Sequence, residues 1–321
     1  MLPLAELRSA LVVRTDHIGD LVVSTPFLRA LRSGLPQARI TAMVAPPAQD
    51  VLTGNDAVDD VITVEAAPPP VELAVCLSPR TKTYRLVHRT RARYRVGYVY
   101  PERFLTGLLA RFWLTHRMVQ PVRSYLRSGQ PVPHEVEQLG KLAGFLGLDY
   151  GQPKLELPVP ARDVEYGESV ARGAVVLHLA AGWLTWGWTL EEIARLLGEL
   201  PAPVLVTWGP AERELASTLQ DLAPDLKLLG DLSLKRWAGV LGAARCVVSV
   251  DTGAVHVAAA RGTPSVVCYQ PEQYDLCSQQ WAPWGVPYRA LRKTGPCRPL
   301  IRQGVEELLA GARTPPTYDE G

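Results

Sequence analysis

Short apolar runs alternate with stretches of helical periodicity along the first half of the chain. The runs are four to seven residues long and lie at residues 10–14, 39–44, 61–64, 71–77 and 94–98. Such runs are typical of buried strands. Apolar residues recur at helical spacing at 21–31 and 134–148. This alternation predicts right-handed βαβ units and a parallel sheet covered on both faces.

The same alternation restarts in the second half. Strands are predicted at 174–179, 203–208, 227–229, 246–250 and 265–269, and helices at 189–197, 212–222, 234–243, 251–260 and 305–309. Residues 150–172 contain Pro153, Pro158 and Pro160 and show no core periodicity, so we expect the domain linker there. We predict an N-terminal domain over 1–155, a C-terminal domain over 156–300, and a final helix and polar tail over 301–321.

Composition narrows the class of protein. With 321 residues, 47% hydrophobic and 21% charged, the chain is typical of a globular enzyme of two domains. A net charge of +2 argues against a nucleic-acid partner. The five cysteines are an odd number without a C-x-x-C pair, and the first residues lack the layout of a signal peptide. We expect a cytoplasmic protein, with peripheral contact at the inner membrane face as an open alternative.

Two strand-to-helix loops contain residues suited to catalysis and to phosphate binding. The first, residues 15–20, contains Asp16, His17 and Asp20, and an aspartate there can accept a proton from a substrate hydroxyl. Helix capping explains the same aspartates equally well. In the second loop a buried strand leads into D-T-G and a helix, whose free N–H groups suit a phosphate. Its candidate residues are Asp251, Thr252, Gly253, Ala254 and His256.

Three further segments have both a functional and a structural interpretation. Residues 180–188 contain three tryptophans, which suit stacking on a base or sugar but also a hydrophobic lid or core wedge. Glu212, with Glu214 as a competitor, suits a ribose contact or a helix first turn. Residues 80–95 contain seven basic residues, including Arg80 and Lys82, and no acid. They suit either an anion-binding face or a solvated helix face.

Several chemistries have no motif in this chain. G-x-G-x-x-G, G-x-x-x-x-G-K-[ST], H-E-x-x-H and G-x-S-x-G are all missing from the sequence. No His/Cys cluster has metal-ligand spacing either. We therefore predict no resident metal or cofactor.

The ordered set of loops resembles glycosyltransferase family 9, the ADP-heptose:lipopolysaccharide heptosyltransferases. LVVRTDHIGDLVVSTPFLRAL is similar to the opening strand, loop and helix of that family. RVGY and HEVEQLGKLAGFLGL resemble later N-terminal elements. The most specific likeness is LLGDLSLKRWAGVLGAARCVVSVDTGAVHVAAARGTPSVVCY, which resembles the donor-side signature.

The resemblance implies a GT-B fold, in which two Rossmann-like doubly wound domains face each other across a cleft. It implies metal-independent, inverting transfer from an ADP-sugar, which acts as co-substrate. Asp20 matches the proposed general base. The segment of Thr252, Gly253 and Ala254 matches the one that holds the donor diphosphate, with Asp251 and His256 beside it. Glu212 matches the ribose-binding acid.

One position departs from the family pattern. The family commonly has a phosphate-binding lysine two residues before the tryptophan that matches Trp188, and this chain has Trp186 there. We predict Trp186 as a donor-side residue. The missing lysine leaves three alternatives open: a substitute cation (Lys235, Arg236 or Arg14), a different donor, or loss of activity.

The predicted function is transfer of a sugar, with heptose as one candidate, to a lipopolysaccharide core or other anionic glycan or glycolipid. We place Asp16, His17, Arg80 and Lys82 on the acceptor side. Two alternatives stay open: a non-catalytic nucleotide-sugar or glycan-binding protein on a degenerate GT-B scaffold, and a sugar-nucleotide epimerase.

Overall fold

The computed structural model describes residues 3–311 and divides them into two compact units, with the boundary between Pro158 and Val159. Each unit is built on a six-stranded parallel sheet. The α/β class and the presence of two Rossmann-like doubly wound units, both predicted from the sequence, are confirmed. The polar tail predicted at 314–321 lies outside the described residues.

The described part of the first unit contains six strands and six α-helices. The strands are β1 (Ser9–Arg14), β2 (Arg39–Val44), β3 (Asp60–Thr63), β4 (Leu73–Cys76), β5 (Tyr94–Val99) and β6 (His116–Val119). The helices are α1 (Ile18–Val23), α2 (Thr25–Gly34), α3 (Thr81–Arg89), α4 (Phe104–Trp113), α5 (Val122–Arg127) and α6 (Glu135–Leu146). The strand order is β3-β2-β1-β4-β5-β6. β1 and β4 are buried on both faces, which is why their sequences are uniformly apolar instead of alternating.

The second unit repeats this topology. Its strands are β7 (Val175–Leu179), β8 (Val204–Trp208), β9 (Lys227–Leu229), β10 (Cys246–Val250), β11 (Ser265–Tyr269) and β12 (Tyr288–Arg292). Its helices are α7 (Ala161–Ala171), α8 (Leu190–Glu199), α9 (Arg213–Leu222), α10 (Leu234–Ala243), α11 (Gly253–Ala260), α12 (Tyr274–Gln280) and α13 (Arg298–Leu309). The order β12-β11-β10-β7-β8-β9 makes β7 and β10 neighbours, as β1 and β4 are in the first unit.

Two predictions of local structure are wrong. The helix predicted at 21–31 is two helices, because Ser24 separates α1 from α2 and Pro26 occupies the first turn of α2. The linker predicted at 150–172 contains the boundary between the two units, but its later part forms α7 instead of an irregular connection.

Helix α7 was not predicted from the sequence because its buried face is made of small and polar residues. These are Asp163, Gly167 and Ala171, four residues apart. A Cβ on Gly167 would lie 2.1 Å from the carbonyl oxygen of Gly239 on α10. The two backbones therefore touch directly, and there is no room for the large apolar side chains that usually indicate a core helix.

Candidate functional site

The loop after β1 places Asp20 in the first turn of α1. Because β1 and β4 are neighbours across a reversal of strand order, this is the edge where open α/β sheets bind ligands. The Asp20 carboxylate accepts hydrogen bonds from the His17 backbone N–H at 3.0 Å and from Arg14 Nη2 at 3.1 Å. Its side chain is still 19% exposed. Asp20 thus takes part in capping, as one interpretation expected, and remains reachable from solvent.

Arg14, at the end of β1, is a buried cation with three carboxylates around it. Its Nη1 lies 3.1 Å from Glu135 Oε1, and its Nε lies 3.6 Å from Asp16 Oδ2. Burial alone would lower the pKa of Arg14, but Tyr98 and the carboxylates together raise it well above its usual value. Arg14 therefore stays charged and holds the Asp20 carboxylate in place.

Glu135 and Tyr98 complete this group, and the sequence patterns did not indicate either residue. The Tyr98 hydroxyl lies 2.8 Å from Glu135 Oε1 and 2.9 Å from the Leu77 carbonyl oxygen. Burial raises the pKa of Tyr98 well above its usual value, so the phenol stays protonated and donates. We call Arg14, Asp16, Asp20, Tyr98 and Glu135 the Arg14 cluster. The sequence held one signal for this cluster: Arg14 ends an apolar run, and a buried arginine needs an acidic partner.

The residues predicted on the acceptor side lie along the same edge of the first sheet. Asp16 accepts from Ser78 Oγ at 2.5 Å and pairs with Arg80 Nε at 3.0 Å. His17 is exposed and caps α1, and Lys82 is exposed in the first turn of α3. The predicted basic helix is shorter than expected, because α3 ends at Arg89 and the later arginines lie around β5.

The D-T-G segment follows β10 and begins α11. Thr252 is the N-cap, and its hydroxyl accepts from the Ala254 N–H and lies 3.0 Å from Ser249 Oγ. Gly253 is the first residue of α11, so the backbone N–H groups at the helix start have no Cβ beside them at that position. An N-terminus of this kind favours an anion through both its free N–H groups and the helix dipole.

Two side chains flank that helix start. Asp251 is exposed, and His256 is buried in the first turns of α11 with its ring 6.1 Å from the Trp281 ring. Burial, together with Asp251, raises the pKa of Cys277 to about 12, so this thiol stays protonated.

The tryptophan loop after β7 separates into buried and exposed members. Trp183 and Trp188 are core residues whose indole N–H groups donate to the carbonyl oxygens of His178 and Gly295. Trp186 is 46% exposed and has a φ of +57°, which is rare for a bulky residue. The core interpretation thus applies to two of the three rings, and the donor-side prediction for Trp186 stays a prediction.

Lys293, just after β12, binds this loop through its ammonium group. The sequence analysis did not predict this residue. Its ammonium donates to the Gly182 carbonyl at 2.8 Å, the Trp183 carbonyl at 2.6 Å and Thr185 Oγ1 at 2.7 Å. Burial lowers its pKa to about 8, although nearby cysteines oppose that shift. The sequence showed no strand β12, and so nothing pointed to a lysine at this edge of the sheet.

Glu212 lies at the end of a 3₁₀ turn that follows β8, which is next to β7 in the sheet. It is half-buried, whereas Glu214 on α9 is exposed. Its backbone N–H donates to the Gly209 carbonyl at 2.9 Å. Glu212, the tryptophan loop and the D-T-G segment thus share one edge of the second sheet, the edge expected for a ligand.

The candidate cations Arg14 and Arg236 are engaged with carboxylates. Arg14 belongs to the Arg14 cluster of the first unit. Arg236 lies 3.2 Å from Asp163 and stacks 4.7 Å from the Tyr166 ring. Lys235 is buried in the first turn of α10.

Neither a metal centre nor a membrane span is found in residues 3–311. No three His, Cys, Asp or Glu residues in that range are grouped so that they can hold a metal ion. Every helix in it is too short or too polar to cross a bilayer.

Comparison with known proteins gives concordant results. The model of glycosyltransferase family 9 (heptosyltransferase) matches residues 86–308. The chain is 28% identical over 292 residues to lipopolysaccharide heptosyltransferase 1 of Pseudomonas aeruginosa, which covers 81% of this chain and 78% of that protein. A family 9 glycosyl transferase from Veillonella parvula has a similar fold, with 17% identity, a TM-score of 0.76, and coverage of 97% and 99% of the two chains. The E. coli heptosyltransferase WaaC solved with ADP has 21% identity and a TM-score of 0.71, with coverage of 94% of this chain and 99% of that one.

Proposed function

Because this chain belongs to glycosyltransferase family 9, we propose that it transfers heptose from an ADP-sugar to a lipopolysaccharide core or another anionic glycan. The relative from Pseudomonas aeruginosa is a lipopolysaccharide heptosyltransferase, which makes ADP-heptose the first donor to test. We further propose that the reaction inverts the anomeric centre without a metal, and that the protein works in the cytoplasm, at the inner membrane face, on a lipid-linked acceptor.

The general base in this proposal is Asp20. Its carboxylate takes the proton of the acceptor hydroxyl as the oxygen attacks the anomeric carbon and the bond to the diphosphate breaks. ADP leaves with the electrons of that bond. Asp20 suits this role because it is partly exposed at the sheet edge while Arg14 Nη2, 3.1 Å away, holds the carboxylate in place. This is the observation on which the proposal depends most.

The donor side of the proposal uses the start of α11. The N–H groups that follow Thr252 would bind the diphosphate, where negative charge grows as ADP departs. Glu212 would accept hydrogen bonds from the ribose, and the exposed ring of Trp186 would pack on the nucleotide.

The test is turnover of ADP-heptose with a deacylated lipopolysaccharide core, measured as ADP release. Asp20→Asn should slow turnover by about 10²- to 10⁴-fold, because general base catalysis contributes about that factor. ADP affinity, measured by calorimetry, should be unchanged. Turnover of Asp20→Asn at the wild-type rate would eliminate Asp20 as the base.

Asp59→Asn is a matched control. Asp59 also accepts from a backbone N–H, that of Ile40 at 2.7 Å, and also pairs with an arginine, Arg32. The Asp59→Asn variant therefore loses contacts comparable to those of Asp20→Asn, but away from the proposed site. It should retain full activity.

The second candidate, a non-catalytic binding protein, is favoured by Trp186 at the position where the family commonly has a lysine. It predicts that the wild-type protein binds ADP tightly but turns over no donor across a panel of nucleotide sugars and acceptors.

A further inference from the structure

The outer face of α4 exposes more apolar surface than any other helix of the described chain. Phe104, Leu105 and Phe112 are 74%, 72% and 71% exposed, and Leu108 and Leu109 are 41% and 37% exposed. Ala110 is the one buried residue of this helix. Contiguous apolar surface of this kind on a soluble domain usually marks an interaction site.

A cleft beside α4 extends the same surface. It lies between α4, the end of β5 and the edge strand β6, and it has a volume of about 370 Å³. Val99, Pro101, Leu108 and Val119 supply apolar walls, and the side chains of Arg111 and Arg117 also line it. An apolar cleft that two arginine side chains also line fits an acyl chain with an anionic headgroup.

The charge around α4 is strongly positive. Residues 80–127 contain twelve Lys and Arg but one acid, Glu102, although the whole chain has a net charge of +2. Arg103, Arg111, Arg117 and Arg123 are exposed around the apolar face. The basic helix α3 packs beside it, with the Arg85 guanidinium 5.9 Å from the Trp113 ring.

The apolar face of α4 and the positive charge around it together indicate which kind of partner this surface would bind. An apolar helix face with arginines at its border is the pattern of helices that lie in the interface of an anionic bilayer. In a symmetric contact, two copies of this chain would bring two strongly basic surfaces together, which costs energy. A single-stranded nucleic acid needs successive aromatic platforms for its bases, whereas three of the five exposed apolar residues of this face, Leu105, Leu108 and Leu109, are aliphatic.

We propose that α4, with β6 and the flanking arginines, docks this protein on the surface of a bilayer that contains anionic phospholipids. Phe104, Leu105 and Phe112 insert into the boundary between headgroups and acyl chains, and the arginines bind the phosphates around them.

The docking surface adjoins the proposed catalytic edge of the same unit. The Tyr98 ring packs 5.6 Å from the Tyr100 ring, which helps to form the cleft, while the Tyr98 hydroxyl belongs to the Arg14 cluster. A lipid-linked acceptor held in the bilayer would therefore meet the first unit on the side of Asp20. In this respect the inference rests on the proposed function.

The test is flotation of the full chain with vesicles of phosphatidylcholine, with and without an equal part of phosphatidylglycerol. We expect binding to the anionic vesicles alone, weakened by added NaCl. Phe104→Ser/Leu105→Ser/Phe112→Ser should weaken that binding by at least about tenfold. Arg111→Gln/Arg117→Gln should weaken it by about tenfold and reduce its salt dependence.

Matched control variants distinguish binding through the α4 surface from nonspecific binding of exposed phenylalanines or arginines to vesicles. Phe145 on α6 is also an exposed phenylalanine of the same unit, at 46%, so Phe145→Ser should bind as the wild type does. Arg162 and Arg172 are both 82% exposed in the second unit, so Arg162→Gln/Arg172→Gln should bind normally too. The triple variant should keep wild-type turnover with the deacylated core, which has no acyl chains to anchor.

Three outcomes would overturn the inference. One is failure of the wild-type protein to float with anionic vesicles. Another is equal binding by the wild type and the triple variant. The third is a concentration-dependent dimer, seen by light scattering, that the triple variant abolishes while vesicle binding persists, because the α4 face would then join two copies. None of these outcomes depends on whether ADP-heptose is turned over.

Discussion

Replacing Arg14 with glutamine should both destabilise the first unit and slow the reaction. The Arg14 and Glu135 side chains are 2% and 1% exposed, and they lie 3.1 Å apart. Removal of one partner of such a pair leaves an uncompensated buried charge, which costs about 3–5 kcal/mol. Asp20 would also lose the hydrogen bond from Arg14 Nη2 at 3.1 Å that holds its carboxylate in place.

A double-mutant cycle isolates this pair. Urea unfolding should show that Arg14→Gln lowers the free energy of unfolding by about 3–5 kcal/mol, and that Glu135→Gln lowers it less, because Arg14 still has two carboxylates. The double variant should recover about 2 kcal/mol relative to the sum of the single changes, because no unpaired Glu135 charge remains. In the ADP-release assay, Arg14→Gln should turn over more slowly than the wild type, because the Asp20 carboxylate is no longer held in place.

The matched control is the exposed Arg39–Asp60 pair, whose closest contact is 2.6 Å and whose side chains are 73% and 33% exposed. Its cycle should give a coupling below about 1 kcal/mol, because solvent screens an exposed pair. If Arg14 and Glu135 were additive within about 0.5 kcal/mol, or if Arg14→Gln kept wild-type turnover, the account of the Arg14 cluster would be refuted.

Two further predictions concern the second unit. In a urea titration, Gly167→Ala should lower the free energy of unfolding by about 1–3 kcal/mol, because the new Cβ would lie 2.1 Å from the Gly239 carbonyl oxygen. The control is Gly198→Ala on α8, which should be neutral or stabilising because no atom lies within 4 Å of its Cβ. Lys293 has a pKa of about 8 when folded and an ordinary value of 10.5, so its buried charge penalises the folded state fully below pH 8 and less as the pH rises. The stability of the wild type relative to Lys293→Met should therefore increase between pH 8 and 10.5, by up to about 3 kcal/mol, and a decrease over that range would contradict the assignment.

The sequence predicted the central strands and the two key loops because these features are local. A parallel strand buried on both faces is a continuous apolar run, so β1, β7 and β10 were identifiable without knowledge of their neighbours. Asp20 and Thr252 directly follow two of those runs. Their place at a sheet edge then follows from the βαβ topology alone.

Other parts of the site depend on contacts that no local pattern encodes. Glu135 reaches Arg14 across 121 residues of chain, and Lys293 reaches Gly182 across 111. Helix α4 was not predicted because its apolar residues are exposed, which reverses the usual relation between hydrophobicity and burial. Sequence reasoning therefore located the strand-to-helix loops but missed the side chains that hold them in place.

The two units share one topology but carry different charges at the sheet edge where a ligand is expected. At the switch point of the first, a buried arginine and Arg80 face three carboxylates, Asp16, Asp20 and Glu135, so this edge keeps a negative charge suited to accepting a proton. At the same point of the second, the loop ends in Thr252 and the N–H groups of α11, whose partial positive charge comes from the backbone, with Asp251 as the one carboxylate beside them in the loop. Exchange of the two loops would place carboxylates against a diphosphate and remove the base, so the division of roles follows from the loops and not from the sheets.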